Sequence, residues 1–156
     1  MELDDLDIKI LALLGRRGRM TWAELAGQLE LSAPATADRV KRLEERGLIT
    51  GYSALLDAEA LGLTLTAFIA VTLGQPRHRE GFLAQVNATA EILECHHVTG
   101  DDDYLLKVRC CHTRALEALI THRLKATEGV VKTRTLIVLS TVKETQVPPL
   151  EHLHKP

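Results

Sequence analysis

Apolar residues recur at helical spacing up to about residue 50 and at alternating spacing beyond residue 63, so the chain changes structural type part-way along. In the first stretch Leu6, Ile10, Leu13 and Leu14 make one helical stripe, with Ile8 and Leu11 on its flank. Asp4 or Asp5 can cap that helix, and Gly15 and Gly18 end it, with Arg16 and Arg17 near its negative pole. Thr21 and Glu24 then have capping-box spacing, each able to satisfy a free N–H at the start of a second helix. Leu25, Ala26 and Leu29 form its apolar side. Ser32 is a good N-cap for a third helix, and Pro34 falls in the first turn, where a missing N–H costs nothing. Two short helices joined so tightly predict a helix-turn-helix, whose second member commonly enters the DNA major groove.

Projected at about 100° per residue, that third helix gathers Ala33, Ala37, Val40, Leu43 and Gly47 on one side, with Thr36 and Glu44 at the edges. Pro34, Ala35, Asp38, Arg39, Lys41, Arg42, Glu45 and Arg46 occupy the other side. The outward face is small at its start and basic further along. Small residues let a backbone approach base edges, and Arg or Lys can bind phosphates or guanine. Ser32, Pro34, Ala35, Thr36, Asp38, Arg39, Lys41, Arg42 and Arg46 are the candidate DNA-binding residues. Gly47 has the position of a left-handed cap, and Leu48 to Leu56 reads as a wing or a strand leading out.

Beyond a connector at Asp57 to Gly62, Leu65, Ala67, Ile69, Val71 and Leu73 alternate with Thr64, Thr66, Phe68, Ala70 and Thr72, which predicts a strand ended by Gly74-Gln75-Pro76. A helix carrying Phe82, Leu83 and Val86 follows, then strands over Ile92 to Thr99 and Tyr104 to Cys111, joined by the turn Gly100 to Asp103. Thr113 is expected to cap a helix bearing Leu116, Leu119, Ile120 and Leu124, and Val130 to Val142 supplies a last strand. The order βαββαβ predicts a ferredoxin-like arrangement, hence an α+β chain with an N-terminal winged helix-turn-helix. Its boundaries are expected at 1–50 for the DNA-binding domain, 51–63 for the connector, 64–143 for the ferredoxin-like dimerisation and sensing domain, and 144–156 for a tail. Two helices cover one face of four strands, yet Leu105-Leu106 and Leu136 to Leu139 are apolar on both faces. A second copy of the sheet is the simplest cover, which predicts a homodimer carrying two reading heads.

Composition narrows the function. Hydrophobic residues make up 46% of the chain, enough for packed cores, and no apolar run would span a bilayer. The acidic start MELDDLD lacks the features of a signal peptide, so a soluble, cytoplasmic protein is expected. A net charge of −2 argues against a nonspecific polyanion binder, leaving DNA contact to locally placed basic residues. Cys95, Cys110 and Cys111 have neither disulfide nor zinc spacing and read as small core residues in strands.

The segments LDDLDIKIL, AELAGQLELS, RVKRLEERGLITGYSALLD, CHHVTGDDDYLLKV and TRTLIVL occur in the order found in the Lrp/AsnC, or feast/famine, transcription regulators, which the chain resembles over about residues 3 to 143. The resemblance implies a winged helix-turn-helix, a ferredoxin-like ligand-sensing domain, dimers assembling into octamers, and a free amino acid as effector between subunits, with no obligatory cofactor. By position it places the ligand site at Gly100, Asp101, Asp102, Asp103 and Tyr104 and at Thr133 and Thr135. A glycine turn can offer N–H groups to a carboxylate, and an aspartate can hold an ammonium. The sequence departs from the family's pattern at Ser32 to Thr36 and at Asp102, so neither operator nor ligand identity transfers.

Three other readings compete. A metal sensor would use Asp101, Asp102 or Asp103 with His96, His97 or His112, without supporting spacing. An enzyme would need a nucleophile with a base, a phosphate loop or a metal motif, and the sequence offers none of them. An architectural protein would bind double-stranded DNA without preference. His152 and His154 belong to a tail expected to be loose or to drape over an interface.

Overall fold

A computed structural model describes residues 3–150 and 153. It divides into two compact units, one drawn from 1–56 and 143–156, the other spanning Asp57–Val142. His152 and His154 lie outside the described residues.

The first unit is a trihelical cluster. Helix α1 (Asp5–Arg16) starts at an Asp4 cap whose carboxylate accepts from the Asp7 N–H, while the Asp7 carboxylate returns to the Asp4 N–H, a capping box built from two aspartates. Helix α2 (Trp22–Leu29) starts at the Thr21 and Glu24 box, as its spacing predicts. The turn after it passes through Glu30 in the left-handed region, at φ 56°. Helix α3 (Ala33–Glu45) begins at Ser32, whose hydroxyl accepts from the Ala35 N–H, and closes in a Schellman motif: Gly47 takes φ 70°, and Leu48 donates back to the Leu43 carbonyl. Ile10, Leu14, Leu25, Leu29, Val40 and Leu43 interlock as its core. In the tail, Val147 packs against Gly15, its Cγ1 3.1 Å from where a Cβ would stand.

The second unit holds strands β1 (Leu65–Leu73), β2 (Ile92–His97), β3 (Tyr104–Cys110) and β4 (Val130–Ile137), with helices α4 (Arg79–Asn87) and α5 (Thr113–Ala118). All pairings are antiparallel in the order β2-β3-β1-β4, the ferredoxin-like topology. Registers Val71↔Tyr104, Ile69↔Leu106 and Ala67↔Val108 put these buried residues on one face, packed against Phe82, Leu116 and Leu124 of the helical layer. The opposite face carries Phe68, Ala70, Leu105 and Leu136, with no helix of this unit against it.

Several details depart from the sequence reading. Leu48 to Leu56 forms no strand in this chain, and Leu55 and Leu56 stand 84% and 74% exposed. The cap of α5 is His112, whose Nδ1 accepts from the Ala115 N–H; Thr113 is already inside the helix. That helix passes into a π-turn at Leu119–Leu124, where Lys125 donates to the Ile120 carbonyl five residues back. The last strand stops at Ile137, and Cys111 is exposed past the end of β3.

Candidate functional site

The outward face of α3 follows from its anchoring. Thr36, Val40 and Leu43 point into the core, so Ser32, Pro34, Ala35, Asp38, Lys41, Arg42 and Arg46 are left exposed along one side. Lys41 lies 3.7 Å from Glu45 one turn on, an exposed pair that keeps its charge accessible. The face is therefore small at its capped start and basic toward its end, the distribution a helix needs to approach a duplex with its N-terminal residues.

Two of the nine candidates on this element do not face outward. Thr36 is fully buried, and its hydroxyl donates to the Ser32 carbonyl at 3.0 Å, so it closes the first turn and has no surface to offer DNA. Arg39 is turned toward α1, where its Nη1 meets Asp4 at 2.7 Å and Asp7 at 2.8 Å. A projection of α3 alone cannot see those acceptors, which lie 35 and 32 residues back along the chain. The pair holds the Asp4 carboxyl below the usual range, behind the larger effect of the Asp7 N–H, and raises the Arg39 guanidinium.

The acidic turn is better satisfied than its composition suggests. Gly100 adopts φ 121°, which a side chain would disfavour. Asp103 accepts from the Leu73 N–H at 2.7 Å and donates its own N–H to the Val71 carbonyl, tying the turn to β1. Asp102 accepts from the Thr72 hydroxyl at 3.1 Å and from Arg134 at 2.8 Å. The Arg134 guanidinium is the main reason the Asp102 carboxyl is held below its ordinary value, with Thr72 adding to it. Arg134 was not singled out by sequence, because its partner lies in a turn 32 residues away; the alternation of β4 was the available signal. Asp101 is exposed.

The remaining candidates separate. Tyr104 is buried against Phe82, ring centroids 4.9 Å apart, with His97 stacked on it at 5.1 Å, and its place is the core of the helix-covered face. Thr133 and Thr135 pair with Val71 and Ile69 and so share that face, half-buried at the edge strand, whereas Arg134 and Lys132 pair with Ala70 and Thr72 on the open one. One chain thus brings Asp102, Thr72 and Arg134 together, and sets Thr133 and Thr135 on the other side of the sheet. Among the described residues no group of three or more His, Cys, Asp or Glu stands close enough to hold a metal, and no helix is long and apolar enough to cross a membrane.

Comparison with known proteins matches this division. A winged helix-turn-helix DNA-binding model matches residues 3–50, and the Lrp/AsnC ligand binding domain matches 66–148. The leucine-responsive regulatory protein of Haemophilus influenzae is 43% identical over 145 residues, covering 92% of this chain and 87% of the relative. The regulator LrpA of Mycobacterium tuberculosis is 40% identical over 139 residues, covering 89% and 91%. Among solved structures, a Neisseria meningitidis transcriptional regulator in complex with L-Met superposes with a TM-score of 0.95 at 37% identity, covering 97% and 99% of the two chains. A feast or famine regulatory protein of M. tuberculosis complexed with L-methionine gives 0.84 at 38%, covering 94% and 99%. With a capped reading helix in one unit and a ferredoxin-like sheet in the other, the chain belongs to the Lrp/AsnC family of transcriptional regulators, DNA-binding proteins rather than enzymes.

Proposed function

We propose that this chain is a sequence-specific regulator whose hold on double-stranded DNA is modulated by an amino acid bound between subunits. The carrying observation is the exposed side of α3, where Ser32, Pro34 and Ala35 precede Asp38, Lys41, Arg42 and Arg46 on a helix fixed by caps at both ends. Arg42 is the side chain we assign to a base edge or phosphate. In this reading 1–50 reads DNA, 51–63 connects, 64–143 pairs and senses, and 144–156 is a tail.

A second copy covers the open sheet face, burying Phe68, Leu105 and Leu136, and the resulting twofold axis sets two copies of α3 on half-sites about one turn of DNA apart. Dimers assemble further into octamers, as the family resemblance implies. The effector site is assigned to Gly100, Asp101 and Asp102 with Thr133 and Thr135. Because the latter two lie across the sheet from Asp102, the site is completed by residues from more than one subunit. Asp103 and Tyr104 support the turn from behind. The two solved relatives hold L-methionine, so apolar amino acids are the first ligands to test.

The test is footprinting on DNA upstream of the chain's own gene, with and without L-methionine. Discrete half-sites whose protection changes with the ligand are expected; uniform protection would favour the architectural reading. Light scattering at low micromolar concentration should find no stable monomer, and Leu136→Asp should produce one.

A further inference from the structure

Arg39 sits in the middle of the reading helix, yet its guanidinium is spent on the neighbouring helix. We infer that Arg39 is a positioning residue which, held by Asp4 and Asp7, fixes the roll of α3 about its own axis and so the register in which α3 meets DNA; this rests on the reading of α3 proposed above.

The argument begins with what otherwise holds α3. Its buried side chains, Thr36, Val40 and Leu43, lie along one narrow stripe. A single stripe of apolar contacts resists withdrawal of a helix better than it resists rolling, because dispersion contacts have no fixed direction. A roll of about 20° would carry groups about 5 Å from the axis through nearly 2 Å, beyond what a hydrogen bond to a base edge tolerates. Arg39 leaves the helix about 100° from Val40, to the side of that stripe, where a tether opposes roll most directly. The tether is short and directional: one nitrogen, Nη1, lies 2.7 Å from Asp4 Oδ2 and 2.8 Å from Asp7 Oδ1. It is also sheltered on the Asp7 side, with the Arg39 and Asp7 side chains 22% and 12% exposed and that of Asp4 52% exposed.

The anchor is itself rigid. Asp4 uses its other oxygen, Oδ1, to accept from the Asp7 N–H at 2.8 Å, so one carboxylate both starts α1 and holds α3. The capping box and the tether are thus one network, and the first residues of α1 act on DNA reading through Arg39.

Asp4→Asn separates this role from the alternatives, because Asn caps a helix as well as Asp while losing the charge that holds Arg39. Affinity of the full-length chain for its footprinted site and for unrelated duplex is measured across a salt series, with thermal melting alongside. The expected result is a roughly tenfold loss for the specific site, with the affinity for unrelated DNA and the salt slope unchanged. Asp7→Asn should show the same loss, and covers the case in which the first variant folds poorly. Were Arg39 a phosphate contact instead, freeing it and removing a negative charge would raise affinity, and Arg39→Ala would flatten the salt slope by about one. Either result overturns the inference, as does a lowered melting temperature with specific affinity unchanged. A wild-type chain without discrete half-sites would remove the reading of α3 and the inference together, whereas discrete half-sites insensitive to both variants would remove the inference alone.

Discussion

Arg39 and Arg134 make the same bond in opposite settings. Each places a guanidinium 2.7–2.8 Å from an aspartate far away in sequence. Arg39 does so between two helices with its side chain 22% exposed and two acceptors; Arg134 lies on an edge strand, 60% exposed, with a single carboxylate. Desolvation raises the worth of a charge-assisted hydrogen bond and the cost of breaking it, while solvent screening erodes both. The contrast extends to the units themselves. The helical unit turns a polar, charged side of α3 outward, whereas the sheet unit leaves Leu93, Val131 and Leu136 more than half exposed and Ile137 50% exposed. Unlike the outward side of α3, the open face of the sheet is thus apolar where it meets water.

The strongest way to break this comparison is at the cores. Leu43→Ala removes a side chain 1% exposed and should cost about 3 kcal/mol in urea unfolding. Fluorescence of Trp22, the single tryptophan, reports the helical unit in that experiment. Leu136→Ala, on the open face, should act through association instead, raising the concentration at which light scattering first detects monomer. Arg39→Ala comes next at about 2 kcal/mol, since it removes the hydrogen-bond partner shared by two carboxylates; a loss no greater than that of Arg134→Ala would erase the distinction between the two pairs.

Acid provides a smaller effect with a definite sign. Asp4 and Asp102 both have folded pKa values below their ordinary ones, Asp4 first through the Asp7 N–H and Asp102 first through Arg134. A lowered carboxyl contributes its full stabilisation above the unfolded value near pH 4 and loses it as pH falls through the folded value. Melting of each unit should therefore hold steady down to about pH 4 and decline below, and Asp4→Asn should flatten the decline in the helical unit. A decline already present near pH 6 would implicate histidines instead. The smallest effect is expected for Arg134→Ala, whose guanidinium is 60% exposed and screened although Asp102 is 9% exposed: a small drop in melting above about pH 4 and a weaker acid decline in the sheet unit.

Much of the fold was legible because it is encoded locally. Thr21 and Glu24, Ser32 and Pro34, Gly47 and the alternation of Leu65 to Leu73 each act within a few residues of themselves, and each element formed where its pattern lies. The candidate site was legible only in part. A helical projection shows which side of α3 is polar, so Lys41, Arg42 and Arg46 stand outward as read. It does not show what another helix offers that side, so Arg39 was misplaced, and Thr36, which the projection left at the edge, is buried. Likewise the turn Gly100 to Asp103 is evident from composition, while its charge balance depends on Thr72, Leu73 and Arg134, brought in by strand pairing.

The amino-acid order alone determined most of the elements, the caps of α1, α2 and α3, the turn Gly100 to Asp103, and a sheet with more apolar surface than two helices can cover, because caps, turns and periodicity act over a few bonds. Tertiary structure decided which charges are neutralised, which hydroxyls are buried, and on which face of the sheet Thr133, Thr135 and Arg134 fall. Those outcomes depend on groups some thirty residues apart meeting within 3 Å, a distance fixed by packing and register rather than by any local preference.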